Sequence, residues 1–158
     1  RSLAVGWKSN LMAIPTIRPY STPDQIKECL KQLDFRDKKA LRETIWEATP
    51  KQVFEIVIPT GHEQAKREGS EPLDENVVVR FVVTGDGGGS WDMETRKGKL
   101  VVSVAGDASP RTTLTMSAET FVKLMRGQTS GMTAFMMRKL KVDGDMTLAL
   151  KIQPLLLG

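Results

Sequence analysis

Apolar positions in this chain recur at helical spacing up to about residue 76 and at every second residue after it. Thr22, Pro23, Asp24 and Gln25 form a helix start: a hydroxyl N-cap, proline at the first helical position, and a third side chain able to reach back. Ile26, Cys29, Leu30 and Leu33 follow on one face, which makes Cys29 a small core residue. A second helix is expected over about residues 37–48, with Leu41, Ile45 and Trp46 as its buried stripe. Thr49, Pro50, Lys51 and Gln52 repeat the start signal and open a third segment with Val53, Phe54 and Val57 on one side, bent or ended by Pro59. The polar stretch TGHEQAKREGSEPLDEN reads as a loop with at most a helical turn at HEQAKRE, leaving His62 exposed.

From Asn76 onward the alternation predicts strands. VVVRFVVT turns Val77, Val79, Phe81 and Val83 inward, with Arg80 on the wet face. SWDMET places Trp91 and Met93 inward against Asp92 and Glu94. KLVVSV offers Leu100, Val102 and Val104, and TTLTM offers Leu114 and Met116. Four consecutive strands joined by GDGGG, RKG and AGDASPR imply an antiparallel meander. A phosphate-cradling role for GDGGGS would need a helix after the loop; a strand follows, so the hairpin reading stands. Ser117 then caps a helix with Phe121, Leu124 and Met125 on its buried face and Gly127 at its end. A short helix carries Met132, Phe135 and Met136, and KLKVDG is extended with Leu140 and Val142 inward. DMTLALKIQ fits either a strand or a helix capped by Asp145, and its pattern alone leans to strand.

Composition narrows the function classes. At 158 residues, with 40% hydrophobic and 27% charged positions, the chain suits one globular domain. No apolar run approaches the roughly 20 residues of a membrane span, and the opening residues lack a secretory pattern, so an intracellular, cytoplasmic setting is expected. Residues 1–11 read as an appended or linker stretch before Met12. A single cysteine and a single histidine exclude an internal disulfide and a cysteine-based zinc site, and no nucleophile, base and orienting group converge, so neither an enzyme nor a cofactor is expected. The net charge of +4 comes without a basic stripe, which argues against nucleic acid. Lys27, Lys31, Lys38, Lys39 and Arg42 lie beside apolar helix faces. They suit either transient contact with an anionic membrane surface or an ordinary packed helix.

GQTSGMTAFMMRKLKVDGDMTLALKI closely resembles the signature end of the sterol carrier protein type two family. GGGSWDMETRKGK, DASPRTTLTMS and FVKLMRG match that family in order, over about residues 49–152. The resemblance implies an α/β (α+β) fold in which a five-stranded, mainly antiparallel sheet covered by helices encloses a hydrophobic tunnel for fatty acid, fatty acyl-CoA or sterol. Residues 49–158 would form that lipid-binding domain, residues 12–48 a helical extension outside the family core, and the last segment a helix. Lipid would then meet Phe81, Val83, Trp91, Met93, Leu100, Val102, Leu114, Met116, Phe121, Leu124, Met125, Met132, Phe135, Met136, Leu140, Met146 and Leu150. Methionine-rich composition alone favours an irregular solid core, and the resemblance reverses that preference toward a cavity. Met132 stands where the family often has Gln, making the tunnel more apolar. Arg138 stands where Gly is common, expected to narrow or charge the mouth. The ending Leu156, Leu157, Gly158 lacks a Ser-Lys-Leu-like tripeptide, so peroxisomal import is not expected. The implied role is non-enzymatic lipid binding and intracellular transfer; the alternative is an accessory module presenting lipid or isoprenoid substrates to a partner enzyme.

Overall fold

The computed structural model describes residues 15–69 and 76–152; the expectations for residues 1–11, Met12 and the final tripeptide lie outside them. Both threonine–proline signals open helices by the same reciprocal bonds. At α1, Pro23–Lys31, the Thr22 hydroxyl accepts from the Gln25 N–H at 3.2 Å while the Gln25 side chain accepts from the Thr22 N–H at 2.9 Å. Thr49 and Gln52 make the same pair at 3.2 and 2.9 Å. Helix α2, Lys38–Thr44, is capped by Asp37, whose carboxylate accepts from the Ala40 N–H at 3.1 Å. Ile26, Leu30, Leu41 and Ile45 are buried in one apolar cluster with Val53, Phe81 and Ile152, so the segment before residue 49 shares its core with the rest of the chain. Its apolar faces are thereby covered. Trp46 departs from the expected stripe: it is 39% exposed and lies under the Arg126 guanidinium, 4.7 Å from its ring centroid.

Helix α3 runs through the region read as a loop. It covers residues 50–67 as an α turn Pro50–Gln52, a π-helical segment Val53–Val57 and an α-helical stretch Ile58–Arg67. Proline in a helix interior clashes with the carbonyl four residues back, and a widened turn relieves that clash. Here the Ile58 N–H already reaches the Val53 carbonyl five residues back, so the helix passes Pro59 unbroken. Its polar side chains are held by tertiary partners. Gln64 donates to the Leu33 carbonyl and accepts from the Phe35 N–H, both at 2.8 Å. His62 is buried rather than exposed and donates from Nε2 to the Gly98 carbonyl at 3.2 Å.

The strands are β1 (Val77–Thr84), β2 (Gly89–Arg96), β3 (Lys99–Val104), β4 (Thr112–Ser117) and β5 (Leu140–Gly144), in the sheet order β3-β2-β1-β4-β5. The first two turns are hairpins as expected. Gly85 and Gly87 at positive φ shape one, and Lys97 and Gly98, also at positive φ, form the other. The meander fails at the third connection. β4 pairs with β1, in parallel, Phe81 opposite Leu114, so residues 105–111 cross from one side of the sheet to the other. β5 then adds antiparallel to β4, Leu114 opposite Val142.

That crossover lies on the face read as solvated, and Arg80 and Asp92 hold it there. The guanidinium pairs bidentately with the carboxylate, at 2.8 and 3.1 Å, and donates to the Gly106 and Ala108 carbonyls at 2.8 and 2.9 Å. Asp92 also accepts from the Gly106 N–H at 3.0 Å. Asp92 faces outward as expected yet is buried beneath the strap. The Arg80 hydrogen bonds outweigh burial and, with the Gly106 N–H, hold the Asp92 carboxyl below its ordinary value. Val104, expected inward, is 67% exposed at the end of the edge strand β3.

On the inner face lie α4 (Ala118–Met125), capped by Ser117, α5 (Gly131–Met136), capped by Ser130, and α6 (Met146–Ile152), whose Asp145 side chain accepts from the Leu148 N–H. The ambiguous last segment is thus a helix. Between α5 and β5, Arg138 adopts φ +61°, a left-handed conformation that costs a side-chain-bearing residue about 1–2 kcal/mol.

Two outcomes are expected in urea melts. Asp92→Asn lowers stability at pH 7 by about 1–3 kcal/mol. Because the folded-state value of Asp92 is depressed, its contribution is complete above the ordinary carboxyl value near 4 and disappears as pH falls through the lowered one, so the variant and the parent converge in acid. Arg138→Gly raises stability by about 0.5–1 kcal/mol, and with it the midpoint, after allowing for the greater freedom of glycine in the unfolded chain.

Candidate functional site

Helix α3 does not cover the sheet evenly. Its contacts fall on the β3 side, where His62 reaches Gly98 and Phe54 stacks on Trp91 at 4.9 Å. Over β1, β4 and β5, α3, α4, α5 and α6 arch around an open cavity of about 620 Å³, within the range of small-molecule binding sites. Its floor is one face of the sheet, Phe81, Leu114, Met116, Leu140 and Val142, brought level by the register Phe81↔Leu114↔Val142 and Met116↔Leu140. Phe121, Leu124 and Met125 from α4, Met132 and Phe135 from α5, and Met146, Ala149 and Leu150 from α6 form the wall, with Val53, Phe54 and Ile58 from α3 closing one end.

Phe54 sets that closed end. Its ring lies 5.0 Å from Phe81, 4.9 Å from Trp91 and 5.3 Å from Phe121, tying α3, two strands and α4 together. Trp91 is oriented in turn by Glu55, which accepts from the indole N–H at 2.9 Å and pairs with Lys51 at 3.0 Å. Burial pushes the Glu55 carboxyl up, but the Trp91 and Lys51 hydrogen bonds and the Lys51 charge outweigh it, and the group lies below its ordinary range.

Of the residues singled out from sequence, Phe81, Leu114, Met116, Phe121, Leu124, Met125, Met132, Phe135, Leu140, Met146 and Leu150 lie on the cavity wall. Val83, Trp91, Met93, Leu100 and Val102 do not; they pack within the solid core or against it. Met136 is 73% exposed and also off the wall. Alternation shows which face of a strand is buried, but not whether a helix or a void lies above it. Arg138, expected at the mouth, is not part of the lining. Val53, Phe54, Ile58, Val142 and Ala149 were missed as lining although most stood out as apolar face positions. Thr129, Ser130 and Thr133 in the polar part of the lining carried no signal, and Arg42 stood out only as one of five basic residues beside apolar helix faces, read for a membrane surface rather than a cavity.

The mouth is open and part of its rim is apolar. Met132, Phe135, Met146 and Leu150 line the cavity and are exposed at the same time.

Residues 58–157 match the model of the SCP-2 sterol transfer family. Over 115 residues the chain is 32% identical to hydroxysteroid dehydrogenase-like protein 2 of Xenopus tropicalis, a match that covers 61% of this chain and 27% of the relative. Among solved structures, palmitated SCP2L2 of Aedes aegypti superposes with a TM-score of 0.55 at 20% identity, covering 67% of this chain and 92% of that one. The sterol carrier protein domain 2 of Helicoverpa armigera superposes at 0.51 and 30% identity, covering 68% and 89%. The chain therefore spans about a quarter of the Xenopus relative and most of either insect domain.

Phe54→Ala is expected to cost about 3–5 kcal/mol, since it empties the junction of three rings. The loss should appear as a lower urea midpoint together with a loss of near-ultraviolet circular dichroism from Trp91.

Proposed function

From the premise that this chain belongs to the SCP-2 sterol transfer family, we propose that it binds a lipid in the cavity over β1, β4 and β5, as a carrier without chemistry of its own. The observation that carries this reading is the open, apolar cavity of about 620 Å³ with an exposed apolar rim. Each methylene group buried there contributes roughly 0.8 kcal/mol, so a chain of about fourteen would gain more than ten before ordering costs, without demanding a particular head group. Met116, Met125, Met132 and Met146 on the wall suit variable tails, because an unbranched thioether side chain repacks readily. The Aedes neighbour carries palmitate, which supports a fatty-acid-like ligand.

A second reading, presentation of lipid to a partner enzyme, is favoured by the Xenopus relative, a dehydrogenase-like protein several times longer than the matched stretch. Both readings require the same cavity to be filled.

The purified chain is expected to take up a fluorescent fatty acid at micromolar concentration and to release it on addition of unlabelled lipid. Met132→Asp and Phe135→Asp, both at half-exposed rim positions, should weaken uptake about tenfold or more while leaving the far-ultraviolet spectrum intact. Failure of every member of a panel of fatty acids, acyl-CoAs and sterols to displace the probe would overturn lipid binding.

A further inference from the structure

Among the described residues, Arg42 is the one charged side chain on the cavity wall. It projects from α2, part of the segment that precedes the family match, and neighbours Leu41, Thr44 and Ile45, all buried, which fix the backbone beneath it. The end of α2 is fastened a second time: Arg126, at the end of α4, donates from Nε to the Trp46 carbonyl at 3.0 Å with its guanidinium over the Trp46 ring. The next residue, Gly127, sits at φ +70°, and a methyl group added there would come within 2.7 Å of the Arg42 guanidinium carbon. Glycine at this helix end thus leaves room for the Arg42 head. No hydrogen bond or ion pair engages that head within the described residues. The other polar side chains of the lining are the hydroxyl residues Thr129, Ser130 and Thr133, which follow Gly127 closely in sequence.

Arg42 is exposed to solvent as well as on the lining, and its guanidinium presents a planar fork of donors that matches a carboxylate or phosphate bidentately. A sterol would offer only a neutral hydroxyl. We propose that Arg42 is the head-group anchor of the cavity and that the ligand is a single-chain lipid with an anionic head, its tail over the sheet and its carboxylate or phosphate at the guanidinium. The assignment rests on the lipid-binding reading and sharpens it. It makes the segment before the family match a determinant of specificity.

The test is displacement of a bound fluorescent probe by palmitate, palmitoyl-CoA and hexadecanol, which share one tail and differ in the head. The parent chain should bind at least one of the two anionic lipids about tenfold more tightly than the alcohol, and whichever it prefers identifies carboxylate or phosphate. Arg42→Gln should reduce that preference to about twofold or less while leaving hexadecanol unchanged; Lys39→Gln, three positions earlier and off the wall, should preserve it. An unchanged preference in Arg42→Gln, an equal loss in Lys39→Gln, or a parallel loss of hexadecanol would each overturn the anchor while leaving lipid binding in place. Failure of all three ligands to displace the probe would overturn both.

Discussion

The sheet depends on the ion pair between Arg80 and Asp92. A chain that leaves β3 and must reach the far side of β1 lays about seven residues of polar backbone across the outer face of the sheet, where each carbonyl and N–H it covers needs a partner. Arg80 meets two of those carbonyls and Asp92 one N–H, and each neutralises the other while doing so. With the strap in place β4 docks beside β1, and β5 can extend the sheet on that side. The β4 and β5 part of the cavity floor and the helices α4, α5 and α6 above it lie downstream of this crossing; Phe81 and the α3 end are in place before it.

The cavity itself arises from an asymmetry on the opposite face. Helix α3 packs closely on the β3 side, and the π segment Val53–Val57 turns Phe54 into the junction with Phe81, Trp91 and Phe121. This cluster acts as a stop: one half of the inner face becomes solid core and the other is roofed over a cavity. The roof is made of short helices, and the side chains facing the void are mostly methionine, leucine and phenylalanine. Exposed apolar side chains at the rim are costly in a protein with no use for them, and their concentration at one opening supports the lipid-binding reading.

The segment before residue 49 joins these two parts. It shares the core cluster with α3, it is held to the end of α4 by Arg126 and Trp46, and it delivers Arg42 to the cavity. Residues before the matched family stretch thus form part of the cavity wall and supply its charged side chain.

Local chemistry was legible along the chain wherever its partners were close in sequence. The capping boxes at Thr22 and Thr49, the inward alternation of Val77, Val79, Phe81 and Val83, the glycine turn after β1 and the cap Ser117 all depend on neighbours within a few residues, and they are where the pattern puts them. The family signature added the helical ending that periodicity alone left open. The polar run around His62 was misread because its helix is held by Leu33, Phe35 and Gly98, all distant in sequence. The meander was misread because a hairpin and a crossover can share the same loop composition, and only the Arg80–Asp92 clamp distinguishes them. Apolar spacing along the chain shows which face of most strands and helices is shielded from water, with exceptions at element ends such as Trp46 and Val104. Whether that face meets another side chain, as at Trp91, or an empty space, as at Leu114, depends on where elements remote in sequence come to rest.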